Sequence, residues 1–458
     1  MLGKTKRIHF IGIGGIGMSG IAELLYNQGF IITGSDMQPS ATTKQLETLG
    51  IEISYRHDPA NIQGSDVIVR SSAIQNDNVE VLAAMEQKIP VIRRAEMLAE
   101  IMRMSYGIGI AGTHGKTTTT SMVGMILSEA NMEPTVIVGG VVKNYSSNNL
   151  LGSGQYIVVE ADEFDRSFLS LTPIIAGITN IEADHLDCYE DLDSVKRAFV
   201  EYANKVPFFG AVICCLDDHG VQSILPLINK KIITYGMSKQ ASVRADNIEM
   251  KDFKAKYKLI INGKDSGEIE LNVTGNHNIK NSLLAVALGL ELDIPITTLQ
   301  VGLKKFKGVF RRFEYKGKIN NIDVYDDYAH HPTEIEATLT GIKDNTDRRI
   351  VAVFQPHLYS RTRDFYDDFG RSFFQSDVLL VTPIYPAREK PIPSINGQLI
   401  ANAAIQHGHQ CVHYIEKNEE IVPTLSSLVK PGDLVITIGA GDIYKYGEIF
   451  LAKREKNV

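Results

Sequence analysis

Residues 107 to 121 read GIGIAGTHGKTTTTS, and no other stretch of the chain points so directly to a chemistry. Gly112 and Gly115 let backbone N–H groups come close to a phosphate, and a helix starting just after them adds the positive end of its dipole. Lys116 supplies a full positive charge, and the Thr117 hydroxyl beside it is of the kind that ligates Mg2+. The spacing departs from G-x-x-x-x-G-K-[ST], because Ile110 stands where the first glycine would be. A glycine-rich turn with a solvated lysine is the plainer alternative. The apolar run Ile108 to Ala111 before the loop and the helix-forming run after it favour a nucleoside triphosphate site.

Other residues with chemical potential lie on both sides of that loop. Gly12-x-Gly14-x-x-Gly17 follows a β-rich run, and Asp36 comes about 20 positions later at the end of a second one. This is the form of a dinucleotide fingerprint, and it serves any ligand with a diphosphate and a ribose, a uridine diphosphate sugar as well as NAD. Ser72 follows a further strand and either faces that ligand or caps a helix. Glu160, Asp162 and Glu163 end an apolar strand, and Asp184-His185 follows the next one. Doubly wound sheets gather ligand-binding groups at such strand ends, so Glu160 and His185 are candidates for holding a metal near the phosphates, with helix caps as the bland reading. Asn278 and Asn281, three apart, share one helix face if both are helical, and amides suit a purine edge. Arg311 and Arg312 are a cation pair over a phosphate or a solvated linker. Further on, Asp326 to Thr333 and Gln355 to Arg363 place acids, histidines and arginines after two more strands, a pattern suited to capturing a carboxylate.

These residues need strands and helices in alternation to position them. The pattern predicts an α/β chain with mostly parallel sheets in three domains, at 1–104, 105–314 and 315–458. A length of 458 residues fits roughly three domains of about 150 residues each. A net charge of −7 and no basic run with interleaved aromatics argue against a nucleic-acid partner. The cysteines at 188, 214, 215 and 411 lack metal-ligand spacing and read as reduced thiols. No apolar segment approaches the ~20 residues of a membrane span, and the chain opens into a strand rather than a signal peptide. The expectation is a cytoplasmic protein without a membrane partner, a monomer or weak homodimer.

Nine segments in order resemble the Mur ligase family: GIGGIGMSGIAE (12–23), AGTHGKTTT (111–119), VVEADEFD (158–165), NIEADHLD (180–187), GNHNIKN (275–281), RRFE (311–314), DDYAHHPTE (326–334), FQPHLYSRTRD (354–364) and GAGDI (439–443). The resemblance spans essentially the whole chain. It implies an N-terminal Rossmann-like UDP-sugar domain, a central P-loop-type ATPase domain and a C-terminal Rossmann-like domain for an amino acid. The implied reaction joins L-alanine to the lactyl carboxylate of UDP-N-acetylmuramate, with ATP and Mg2+, through an acyl phosphate, as in peptidoglycan precursor synthesis. By resemblance Gly112, Thr113, His114, Gly115, Lys116, Thr117 and Thr118 bind ATP together with Asn278, Asn281, Arg312 and Asp327. Thr117, Glu160 and His185 serve the metal, and Lys116, Glu160, His185, Arg312 and Asp327 form the catalytic set. Gly12, Gly14, Gly15, Gly17, Asp36 and Ser72 match the UDP-sugar site, and His330, His357 and Arg361 match positions near the amino acid and the substrate carboxylate.

Two positions depart from the family. Several sibling ligases carry a carbamylated lysine where this chain has Phe199, as the alanine-adding branch does, and many relatives are basic where Leu358 stands. A murein-peptide recycling ligase is the close alternative, disfavoured by the GIGGIGMSG and DYAHHP segments. A nicotinamide oxidoreductase would leave Lys116, Glu160 and the asparagine pair unexplained, and a regulatory nucleotide switch would leave the polar C-terminal residues idle.

Overall fold

The computed structural model describes residues 3–145, 147–184, 188–387 and 389–455. Short Val/Ile-rich runs become strands covered on both faces, which is how parallel strands between helix layers read in sequence. Ala211–Cys215, Ile350–Phe354 and Leu434–Ile438 are buried at every residue.

The N-terminal sheet has five parallel strands in the order Glu52–Ser54, Ile31–Ser35, Arg7–Ile11, Val67–Arg70, Val91–Arg93. The order reverses at Arg7–Ile11, which opens a crevice beyond that strand's carboxyl end, where the glycine loop lies. The second sheet has ten strands. Its strand Tyr106–Ala111 runs parallel to Ile175–Ile178 on one side and to Tyr156–Glu160 on the other. The phosphate loop and the acidic exit loop therefore leave neighbouring strands in the same direction. The third sheet has six strands, Glu314–Ile319 antiparallel at one edge and the rest parallel, with Leu434–Ile438 between Ile322–Asp327 and Ile350–Phe354.

By packing, the chain divides into two units. One comprises Met1–Asn247, Tyr257–Glu270 and Lys280–Phe306; the other comprises Ile248–Lys256, Leu271–Ile279 and Lys307–Val458. The N-terminal sheet thus lies within the first unit and the C-terminal sheet within the second. The helix Arg94–Arg103 ends just before 104, and the strand Glu314–Ile319 begins at 314.

Helix Leu192–Asn204 shows how the core is built. Asp191 caps it by accepting from Ser194 N at 2.7 Å, and its buried face carries Val195, Ala198, Phe199 and Tyr202. The Phe199 ring meets Phe168 edge-on at 5.2 Å, and Phe168 stacks on Tyr202 at 5.0 Å. Phe199 is a core residue. None of the four cysteines is in a disulfide, and burial pushes the Cys214 thiol up to about 12. Among the described residues no helix is long and apolar enough to cross a membrane.

Candidate active site

The phosphate loop is tied to the exit of the adjacent strand Ile175–Ile178. Thr113 N donates to Asn180 O at 3.1 Å, His114 N to Asn180 Oδ1 at 2.8 Å, and Glu182 N to Thr113 Oγ1 at 2.9 Å. The Thr179 hydroxyl donates to His114 O at 2.6 Å, and a Cβ added to Gly112 (φ +143°) would overlap that hydroxyl. Only glycine fits there. Gly115, at φ +82°, caps the helix Lys116–Glu129. A Cβ on Gly115 would lie 2.6 Å from Asn281 Oδ1, which places that amide at the mouth of the loop.

Lys116 Nζ donates to Gly112 O at 2.7 Å, Thr113 O at 3.2 Å and Glu163 Oε2 at 2.7 Å. Burial alone would lower its pKa; the carboxylates of Glu163, Asp162 and Glu160 outweigh that, so the ammonium is held charged. Thr117 Oγ1 is 2.9 and 3.0 Å from the two oxygens of Glu160, and Gly139 N donates to Glu160 Oε2 at 2.7 Å. Thr118 is buried on the same helix, and the His114 ring stands 3.4 Å from Glu182. Lys116, Thr117, Glu160 and Asn281 thus converge at one strand end. Glu163 was not singled out by the sequence as the partner of Lys116; the signal was the second glutamate of EADE. His185 lies outside the described residues.

A helix begins at Asn276 and runs to Glu291, so both asparagines are helical and share one face. Asn278 donates back to Thr274 O at 2.7 Å, a local bond at the helix start rather than a side chain held out for a ligand.

In the N-terminal sheet, Ser35 O accepts from Gly12 N at 2.8 Å and Ile13 N at 3.1 Å. Asp36, expected to face a ribose, uses its carboxylate within the loop, accepting from Gly14 N at 2.8 Å and Met37 N at 2.7 Å. Gly15 caps the helix Ile16–Asn27. A Cβ on Gly17 would come within 2.6 Å of Arg94 Nη1, so a guanidinium that the sequence did not single out lies against the loop. Ser72 is exposed in the turn after Val67–Arg70; its neighbour Ser71 is the serine that touches Gly12. Behind the loop, Glu80 is fully buried and accepts from Ser35 Oγ at 2.6 Å, with His57 Nδ1 at 3.0 Å. Burial would raise its pKa, but the contacts from His9, Ser35 and Asn61 hold it at about 2.

In the C-terminal sheet, Asp327 ends its strand by accepting from Phe313 N at 2.7 Å and Ala329 N at 2.8 Å. Burial pushes this carboxyl up to about 6 against the pull of Arg312. Arg312 Nη1 donates to Glu334 Oε1 at 3.3 Å, and Glu334 Oε2 accepts from His330 N at 3.0 Å. Glu334 thus joins the acids, histidines and arginines that the sequence placed here. The rings of His330 and His357 are 6.0 Å apart at 71°, and His357 stacks on Tyr385 at 5.8 Å and 12°. Arg361 is buried in the first turn of the helix Tyr359–Arg371, after Leu358 at φ +71°. Arg311 is neither poised over an open site nor solvated in a linker. Its guanidinium donates to Asp326 Oδ2 at 2.9 Å and to two backbone carbonyls.

Family models match the chain in order: the Mur ligase catalytic domain over residues 7–106, the Mur ligase middle domain over 110–289, and the Mur ligase glutamate ligase domain over 311–441. A UDP-N-acetylmuramate–L-alanine ligase of Geotalea uraniireducens is 50% identical over 99% of both chains, and one of Salinibacter ruber is 49% identical over 100% of this chain and 96% of its own. The crystal structure of the UDP-N-acetylmuramate–alanine ligase of Thermotoga maritima is similar with a TM-score of 0.80 at 28% identity, covering 99% of this chain and 100% of that one. A murein peptide ligase of Psychrobacter arcticus is similar with a TM-score of 0.70 at 25% identity, over 98% of each chain. The order of the three matches, their spread over nearly the whole length and the identity to full-length relatives agree: the chain belongs to the Mur ligase family.

Proposed function

We propose that this chain forms the amide between the amine of L-alanine and the lactyl carboxylate of UDP-N-acetylmuramate, with ATP as phosphoryl donor. One observation supports the phosphoryl-transfer half most strongly: the glycine loop presents Lys116 as a largely enclosed cation, with Thr117 and Glu160 bonded beside it. The identity to full-length relatives named for the alanine reaction supports the choice of substrates, since the similar murein peptide ligase stands at 25% against 50%.

A carboxylate is a poor acyl donor because oxide is a poor leaving group. In the proposed sequence a lactyl carboxylate oxygen attacks the γ-phosphorus and ADP departs. The alanine nitrogen then attacks the acyl carbon, the C–O bond breaks, phosphate leaves with that oxygen, and the nitrogen loses a proton to solvent. Charge on the transferring phosphoryl group is the main burden, and Lys116 with the N–H groups of Gly115 to Thr117 at the helix start carries it. Asn281 contributes at the nucleotide, and Arg312 and Asp327 are assigned to the catalytic set. Gly12 to Gly17, Asp36, Ser72 and, added from the geometry, Arg94 hold the UDP-sugar. His330, His357 and Arg361 receive the amino acid. Thr117 and Glu160 offer two hard oxygen donors side by side, which fits Mg2+. When bound there, the ion neutralises charge on the β- and γ-phosphates. The domains serving these steps are 1–104 for the UDP-sugar, 105–314 for ATP and 315–458 for the amino acid.

The test is phosphate release from ATP with each substrate omitted in turn. Release that requires UDP-N-acetylmuramate and L-alanine together is expected. Release indifferent to both would overturn the reading.

A further inference from the structure

Arg311 makes contacts out of proportion to a linker. It sits at φ +59°, a left-handed conformation uncommon for a residue with a Cβ, and its backbone is fixed on both sides. Its N donates to Glu314 Oε2 at 2.8 Å, and its O accepts from Tyr328 N at 2.6 Å. The guanidinium reaches Asp326 Oδ2 at 2.9 Å, Gly439 O at 2.7 Å and Gly441 O at 3.1 Å. Asp326 is fully buried and takes a second bond from Thr437 Oγ1 at 2.7 Å, so this anchor is itself immobilised. The guanidinium carbon lies 5.0 Å from the Tyr328 ring and 4.5 Å from the Tyr444 ring.

Two short paths lead from Arg311 to the histidines. Through Tyr328 it reaches His330, whose ring meets the tyrosine edge-on at 5.4 Å, 78°. Through Gly441 it reaches Tyr385, because a Cβ on Gly441 would be 2.6 Å from the tyrosine Cγ; Tyr385 in turn stacks on His357. We propose that Arg311 is a positioning residue for the amino-acid end of the reaction, holding Tyr328 and the Gly439–Asp442 loop so that the His330 and His357 rings keep their 6.0 Å separation. It touches neither ring. A planar guanidinium bonds in its plane to a carboxylate and two carbonyls while its faces stack on aromatics. Lysine, a single point charge, cannot do both. The inference rests on the reading above for what the histidines receive.

The experiment uses R311K in the full chain, with two readouts. KM for L-alanine is expected to rise about tenfold or more while KM for ATP and for UDP-N-acetylmuramate stays within about twofold, as a misplaced binding group with intact neighbours would produce. In 13C-histidine spectra of the ligand-free protein, the signals of His330 and His357 are expected to shift while those of His9 and His407 stay in place. Unmoved ring signals would overturn the proposal, whatever the kinetics. So would a parallel rise in all three KM values with only a lower Tm. If R311K does not fold, Y385L tests one path alone. It is expected to move the His357 signal and raise KM for L-alanine, and an unchanged His357 signal would count against the proposal. If the wild type forms no alanine-dependent product, the proposed function falls, while the ring signals still judge the role of Arg311.

Discussion

Lys116 is bonded to acceptors that the phosphates of a nucleotide would replace: two loop carbonyls and the carboxylate of Glu163. Lys116→Ala is expected to lower turnover by more than ~100-fold, because charge-assisted contacts that tighten as charge develops on the phosphoryl group are lost. An unchanged kcat in a folded variant would remove Lys116 from the mechanism. The lysine and its threonine stood out from the strand, glycine loop and helix around them, although the glycine spacing itself departs from the usual pattern. Glu163 was not, because which acid of Glu160, Asp162 and Glu163 turns toward the lysine depends on the turn after the strand. The two arginines show the same limit. Residue type and position suggested a cation pair, but the left-handed turn at Arg311 sends one guanidinium into the sheet's loops and leaves the other with Glu334. Asp36 had the expected place at a strand end, yet it bonds the glycine loop itself.

At the scale of elements, strand-loop-helix units were readable wherever an apolar run ended in glycine or acid, and less so where a helix opens on polar residues. The helix at Asn276 opens with Asn, His and Asn, so its apolar period emerges only from Ile279 onward. Asp327 illustrates a strand end held by its own side chain, with two backbone N–H groups bonded to a buried carboxyl. Its ordinary value is 3.8 and burial pushes it up to about 6. Between these values the folded chain holds more protons than the unfolded one, so this group's contribution to stability is present at low pH and lost as pH rises toward 6. The stability of wild type relative to Asp327→Asn is therefore expected to fall across about pH 4 to 6, on the order of 3 kcal/mol, and to be level on either side. Urea unfolding at a series of pH values measures it, and a difference that rises with pH would contradict the assignment.

For the molecule as a whole, three mostly parallel sheets follow from alternating apolar runs and amphipathic helices, and the strand reversal at Arg7–Ile11 puts the glycine loop where a crevice forms. What sequence cannot convey is how packing groups the sheets. The chain divides into two units, and the segments Ile248–Lys256 and Leu271–Ile279 belong with the later one although they precede it. Periodicity reports which face of a strand or helix is buried, not which distant segment covers it. The account's central claim concerns the order of bonds: the substrate carboxylate is phosphorylated before the amine arrives. UDP-N-acetylmuramate carrying oxygen-18 in its lactyl carboxylate tests this directly, by mass analysis of the phosphate released during turnover with ATP and L-alanine. The account predicts phosphate containing one carboxylate-derived oxygen-18 for each amide formed. Phosphate free of the label, with amide still produced, would contradict it.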